Sequence, residues 1–265
     1  ILDFLEGKFK LNNLRILKQF NGCCFADLDL KQQGVIEDFQ LLFYIIQPPT
    51  PERVKYDIFD RVNRGGTPLN KQEMRNALYR GRCTRMLDKL CCSPEFLIAT
   101  GRSINKERMK DQYVVLRAMA FLMLHRGEFK DIPALQYRGD IDDFLARFMV
   151  YVNDNAPEKL IVDYENLFIR CMQISYDLLG ENGFRFSGNG IRRPINMPLF
   201  EALSYLFSFV PEKIDYTWAS RLILDIESVK EEFDDSRYFS GNIDSTTSVS
   251  FRFDRMDKII NRIQL

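Results

Sequence analysis

The sequence predicts a mainly helical protein, an α+β chain in which a short strand region precedes a larger helical part. Its 265 residues are 46% hydrophobic, enough to build one large domain or two small ones. Beyond residue 100, start and stop residues bracket long helical segments. Before that point, one apolar run at 41–46 has the length of a strand. These observations favour a helical bundle with a small β contribution.

The first predicted elements are a strand and a helix. Residues 41–46 read Leu-Leu-Phe-Tyr-Ile-Ile and are followed by Gln-Pro-Pro, which cannot continue a hydrogen-bonded ladder. They are therefore predicted to form a buried strand. A helix is predicted over 51–63, because Thr50 is a suitable N-cap and Pro51 favours the first helical position.

A double-glycine turn and a second helix start follow. Gly65 and Gly66 can adopt the positive φ angles that end a helix. Asn70 is well placed to cap the next helix, and Glu73 stands three residues later, which is the spacing of a capping box. Local structure alone accounts for these four residues.

The remaining helices are predicted from the same start and stop signals. Ser93 and Pro94 open one helix, and Pro157 and Gly180 bracket another. The segment 240–250 is predicted to be a polar loop. The expected helices lie near 71–80, 84–91, 94–99, 106–125, 140–153, 157–179, 197–209, 215–232 and 253–263.

Five polar residues crowd the double-glycine turn although capping does not require them: Arg61, Asn63, Arg64, Arg75 and Asn76. Arginines beside a turn with free backbone N–H groups are typical of phosphate binding. These residues, with the two glycines, are therefore candidates for binding a nucleotide or a DNA phosphate. The alternative is that the local excess of basic residues forms the solvated face of charged helices.

The loop from 183 to 194 combines glycines, phenylalanines and arginines. Arg185, Arg192 and Arg193 are candidate DNA contacts, with the two phenylalanines of the loop available for stacking on bases. The other interpretation is a connection between helices whose aromatic side chains pack inward.

Several chemistries are disfavoured by composition. His125 is the single histidine and is predicted to face the helix dipole at the end of an apolar helix. One histidine does not support an HNH nuclease, a histidine–cysteine zinc site or a serine–histidine triad. The six cysteines fit neither a zinc spacing nor a disulfide framework, so reduced thiols and no metal site are expected.

Charge and hydropathy predict a cytoplasmic protein with no membrane partner. The 37 basic and 37 acidic side chains give no global attraction to nucleic acid or to a membrane surface. The longest apolar stretch, 114–124, contains an arginine and is too short to span a bilayer.

The segment from Phe59 to Tyr79 resembles the signature of one family. It carries an asparagine, Gly-Gly, a leucine and a Gln-Glu-x-Arg-Asn-Ala helix start in the order found in the N-terminal domain of GmrSD-type restriction endonucleases, also called domain of unknown function 262. Weaker likenesses follow the same order along the chain. They lie at 1–9, 111–117, 144–149 and 196–203.

The resemblance implies an architecture. Family members carry an Asp-Gly-Gln-Gln-Arg motif on a lobe similar to ParB and sulfiredoxin, and this sequence does not contain it. The chain is therefore expected to be a fragment that starts just after that motif. Residues 1–100 are expected to be the C-terminal part of the nucleotide-handling domain and 101–265 a helical domain. The expected fold is thus a helical bundle attached to the remnant of the ParB-like lobe.

The resemblance also implies a function. It points to a nucleotide-dependent, DNA-targeting component of modification-dependent restriction, which defends against phage and here lacks its nuclease domain. No cofactor is expected in this chain, which alone would be inactive, whereas a nucleoside triphosphate and Mg²⁺ are implied for the parent protein. The implied partners are nucleotide, DNA and a fused or separate HNH nuclease domain. The alternative is a non-enzymatic helical module that binds protein or DNA.

Overall fold

Every regular element in the described part of the protein is a helix. The structure is a computed structural model that describes residues 1–43, 45, 47, 50, 52–63, 68–187, 192–211 and 215–263. The mainly helical class is thereby confirmed. The α-helices of these residues are α1 (Leu2–Leu5), α2 (Leu30–Glu37), α3 (Glu52–Asn63), α4 (Lys71–Leu78), α5 (Arg82–Cys91), α6 (Pro94–Ala99), α7 (Lys110–His125), α8 (Ile141–Asp154), α9 (Glu158–Leu179), α10 (Met197–Phe207), α11 (Tyr216–Asp234) and α12 (Thr246–Ile263).

The chain forms two compact units that divide between Pro51 and Glu52. The first unit contains α1 and α2 and has a small apolar cluster. In that cluster the buried ring of Phe4 lies 5.5 Å from Phe9 and 5.9 Å from Phe25. Helices α5 and α6 belong to the second unit, together with the later helices.

The second unit is organised around α7. Its side chains from Val114 to Met123 are buried, and the helix packs against α5 and α10. In turn α10 packs against α9 and α12. Rings from separate elements meet at the centre, where Phe121 lies 5.3 Å from Phe144 on α8 and 5.7 Å from Phe253 on α12.

A network of charges crosses this core. Arg117 on α7 and Arg252 on α12 both donate to Glu201 on α10, and all three side chains are buried. Arg117 also donates to Asp244 at 2.6 Å. Buried charges are tolerated when each has an opposite charge within hydrogen-bond distance, so the network ties three helices together.

The capping signals of the sequence are present in the structure. Ser93 accepts the N–H of Phe96, with Pro94 in the first turn of α6. Gly180 follows α9 with a φ of +60°, a conformation that costs glycine nothing. The predicted helix positions are confirmed to within a few residues for α3 to α11.

Two predicted elements are wrong in the described residues. The run at 41–46 forms no strand at its described positions 41–43 and 45, and these side chains are exposed. A strand requires a hydrogen-bonding neighbour, and the described part of the chain provides none. The last helix starts at Thr246 rather than near residue 253, because Ser245 accepts the N–H of Ser248 and begins the helix inside the predicted polar loop.

Candidate functional site

The start of α4 carries the predicted capping box. The Asn70 side chain accepts the N–H groups of Gln72 at 2.8 Å and Glu73 at 2.9 Å, and Glu73 accepts the Asn70 N–H at 2.6 Å. The Asn70 amide also donates to the Arg108 carbonyl at 2.7 Å. Because the cap already uses these N–H groups, a bound anion at this helix start must be held mainly by side chains.

A cleft of about 490 Å³ opens beside this helix start, where α4 meets the beginning of α7. Four cationic side chains and a single carboxylate, that of Glu107, contribute to its wall. Such a wall attracts anions, and a cleft of this volume admits a phosphate chain. The lining residues are Asn70, Lys71, Gln72, Arg75, Asn105, Glu107, Arg108, Met109, Lys110 and Tyr113.

The cations of the cleft differ in how strongly the protein holds them. Arg108 donates to Glu73 at 3.0 Å and to the Pro68 carbonyl at 2.6 Å. The Asn70 N–H and then Arg108 hold the pKa of Glu73 below its usual value. Lys110 is exposed and makes no ion pair within the described residues. It is therefore the cation most readily offered to a ligand.

Arg75 is the most confined of the four, with only 1% of its surface exposed. Its Nε and Nη2 donate to the Gln72 side-chain oxygen at 3.1 and 2.9 Å, and its Nη1 donates to Asp142 on α8 at 2.8 Å. The guanidinium lies 5.3 Å from the centre of the Tyr113 ring. Arg75 thus stands in the wall of the cleft with every nitrogen oriented by the protein.

Asp142 bridges two cations of the cleft. One carboxylate oxygen accepts from Arg75, and the other accepts from Lys71. Burial acts to raise the pKa of Asp142, but the hydrogen bonds from Lys71 and Arg75 outweigh it and hold the pKa below its usual value. The carboxylate is therefore charged at neutral pH.

A second, larger cleft of about 1220 Å³ lies on the α8 side of α4. It shares Lys71 and Arg75 with the smaller cleft, so these two cations stand in the wall of both. Its wall also contains apolar side chains and four aspartates. The lining residues are Asp57, Lys71, Arg75, Tyr79, Ile132, Ala134, Leu135, Asp140, Asp142, Asp143, Ala146, Arg147, Val150, Tyr151 and Asn155.

The structure brings only some of the predicted turn residues together. Arg75 and Asn76 lie on α4, and Asn76 bonds to Gln72 at 2.8 Å and to Gln112. Arg61 is exposed on α3, outside the lining of both clefts. The remaining predicted positions, Arg64, Gly65 and Gly66, together with the Asn63 side chain, fall outside the described residues.

The three arginines of the predicted DNA-contacting loop form hydrogen bonds or ion pairs within the chain. Arg185 is buried and donates to the carbonyls of Glu181 and Thr100, each at 3.1 Å. These donors of Arg185 are therefore used within the protein, and the DNA contact at Arg185 stays a prediction. Arg192 pairs with Glu181, and Arg193 pairs with Asp234 at the surface.

The aromatic side chains of the same loop pack inward. Phe184 and Phe186 are buried, and the Phe184 ring lies 4.3 Å from Phe200 on α10. In the described part of this segment, the two phenylalanines are thus packed into the protein, as the interpretation as a helix connection expects.

Sequence reasoning missed Arg108 and Lys110 in the wall of the smaller cleft and Asp142 in the wall of the larger one. The charged run Asn105-Lys-Glu-Arg-Met-Lys110 was a local signal for the first two. Asp142 stands 67 positions after Arg75, in a segment whose acidic residues are typical of a helix start. Only the packing of α8 against α5 and α7 brings that carboxylate to the cations of α4.

His125 and the buried thiol of Cys171 are both held in their neutral forms. Burial, and then Arg252, lowers the pKa of His125 to about 3, so its ring is neutral rather than charged toward the helix dipole. All six cysteines are free. Burial raises the pKa of the Cys171 thiol to about 12, which keeps it in the unreactive protonated form.

Comparisons with known proteins identify no relative: no protein-family model, no curated protein and no solved structure matches this chain. Within the described residues, no helix is both long enough and apolar enough to cross a membrane. The same part of the chain holds no group of three or more histidine, cysteine, aspartate or glutamate side chains arranged to bind a metal ion.

Proposed function

We propose that this chain binds phosphate groups of nucleotide or DNA as part of a nucleotide-dependent component of modification-dependent restriction. Two kinds of support meet at α4. The resemblance of residues 59–79 to the GmrSD-type family suggests the biological role. The cleft of about 490 Å³ at the start of α4, with four cations in its wall, carries the proposal.

The chemistry of the cleft suits a phosphate. Arginine presents a planar fork of N–H donors that matches phosphate oxygens, and lysine adds a mobile point charge. Arg108 and Lys110 line only the smaller cleft, whereas Lys71 and Arg75 on α4 line both clefts. A phosphate group entering the cleft therefore meets positive charge from both α4 and α7.

The proposal separates binding from catalysis. This chain would bind the phosphate groups, whereas Mg²⁺, nucleotide hydrolysis and a fused or separate HNH nuclease would belong to the rest of the restriction system. Defence against phage DNA is the role of the assembled system.

Lys110 provides the first test. We predict that Lys110→Ala weakens binding of a fluorescent ATP analogue or a labelled DNA duplex by roughly fivefold, the loss of one exposed charge–phosphate contact of about 1 kcal/mol. Fluorescence anisotropy at low salt measures the affinity. Lys106→Ala is the matched control, since Lys106 is exposed on the same segment but lies outside the cleft. Equal affinities of the two variants would show that the ligand does not bind in the cleft.

The second candidate function is a protein-interaction module. The observation that favours it is the exposed apolar segment of the first unit, where Leu42, Phe43 and Ile45 are mostly open to solvent. Salt distinguishes the two functions. Phosphate binding weakens steeply as salt rises, whereas an apolar protein interface is little affected.

A further inference from the structure

Asp142 occupies the position that a ligand phosphate would take between Lys71 and Arg75. Its two oxygens accept one hydrogen bond from each cation, which is how a phosphate bridges a lysine and an arginine. The two cations stand in the walls of both clefts, whereas Asp142 lies in the wall of the larger cleft alone. The carboxylate thus contacts the cations from the larger cleft, whose lining does not include Arg108 or Lys110.

The exposure of the three groups makes exchange of Asp142 feasible. The Lys71 side chain is 67% exposed and that of Asp142 is 28% exposed, so water and ions reach both. Arg75 is buried and fixed by Gln72, so it keeps its orientation when its anionic partner changes. A buried arginine requires an anion at this position, but the anion need not be Asp142.

We infer that Lys71 and Arg75 form an anion subsite that Asp142 fills in the ligand-free protein, and that a ligand phosphate exchanges with this carboxylate. The inference rests on the proposed function, because it assigns a regulating residue to the same phosphate site. A phosphate dianion carries more charge than the carboxylate and presents more oxygens to Lys71 and Arg75. Binding then releases the first turn of α8 from α4 and opens the larger cleft.

The role of Asp142 as an internal competitor is tested by removing its charge. Asp142→Asn is expected to bind pyrophosphate about tenfold more tightly than the wild-type protein, which corresponds to a carboxylate that holds the subsite about nine-tenths of the time. Isothermal titration calorimetry with pyrophosphate measures both affinities. Asp143→Asn is the matched control: it makes the same change in net charge on the same helix, and Asp143 pairs instead with Arg147.

The outcomes separate the inference from the proposed function. If the wild-type protein binds pyrophosphate but the affinity rises no more in Asp142→Asn than in Asp143→Asn, the competitor role is wrong. Phosphate binding by the cleft would still hold. Absence of pyrophosphate binding in all three proteins overturns the proposed function itself. Binding by all three proteins that is tighter only in Asp142→Asn supports both the competitor role and the proposed function.

A second measurement uses the wild-type protein and so does not depend on the folding of a variant. Hydrogen exchange is followed with and without saturating pyrophosphate. Displacement of Asp142 predicts faster exchange at Phe144 and Leu145, in the first turns of α8. Unchanged or slower hydrogen exchange at these two residues, with pyrophosphate bound, shows that the carboxylate stays in place. That result contradicts the replacement of Asp142 by the ligand phosphate.

Discussion

At the scale of single residues, His125 shows how packing decides the state of a titratable group. Its ring stacks on Phe253 with centroids 3.5 Å apart, and its Nε2 is buried without a hydrogen-bond partner among the described residues. Arg252 adds positive charge nearby, and the neighbouring ring on the α10 side belongs to Tyr205. Protonation would place an unsolvated charge in this stack, so the folded protein keeps the ring neutral.

This state predicts a specific dependence of stability on pH. The pKa of His125 is about 3 in the folded protein and 6.5 for an unperturbed histidine, so between these values the unfolded chain binds more protons. The free energy of unfolding therefore falls as the pH is lowered through this window, by up to roughly 1.4 kcal/mol per pH unit from this residue. Above pH 6.5 its contribution is constant.

His125→Phe keeps an aromatic ring against Phe253 and removes the titration. Urea unfolding of both proteins from pH 7 to pH 4 is expected to show the variant gaining stability relative to the wild type as the pH falls. Carboxylates elsewhere titrate equally in both proteins, so the difference isolates the histidine. Parallel curves over the whole range would show that the ring accepts a proton without penalty.

At the scale of elements, the charged network of α7, α10 and α12 is the clearest polar contact between helices. Glu201 serves two buried arginines at once, and removing its charge leaves two guanidiniums to share Asp244 and neutral acceptors. Breaking a buried pair is costly because the remaining charge stays desolvated. The contact among these three helices therefore depends on the Glu201 carboxylate more than on either arginine.

Glu201→Gln is accordingly expected to lower the free energy of unfolding by about 3–5 kcal/mol, measured by urea denaturation at pH 7. Glu232→Gln is the control, because Glu232 on α11 forms a partly exposed ion pair with Arg255 on α12. Surface pairs contribute about 0–1 kcal/mol. Similar losses in the two variants would mean that the buried network adds no more than a surface pair.

At the scale of the whole molecule, the sequence predicted the features that depend on neighbouring residues, and it did not predict the contacts between distant elements. The helix start at Asn70 and Glu73 follows from residues three positions apart, and the structure has that capping box. The position of Asp142 against Arg75 depends on how α8 packs, which no local pattern contains. The same reason explains Arg185, whose basic character suggested DNA although distant carbonyls such as that of Thr100 hold it inside. Apolar character alone, as at 41–43, does not specify a partner strand.

The division into two units leads to a final prediction. All residues that line both clefts belong to the second unit, as do the buried charge network and nearly all of the buried apolar side chains. A chain of residues 52–265 is therefore expected to fold alone, with a cooperative thermal transition and the same pyrophosphate affinity as the full chain. Calorimetry and titration of the two proteins side by side test this. A shortened chain that unfolds without a cooperative transition would show that the first unit stabilises the second, because the core of residues 52–265 would then be insufficient by itself.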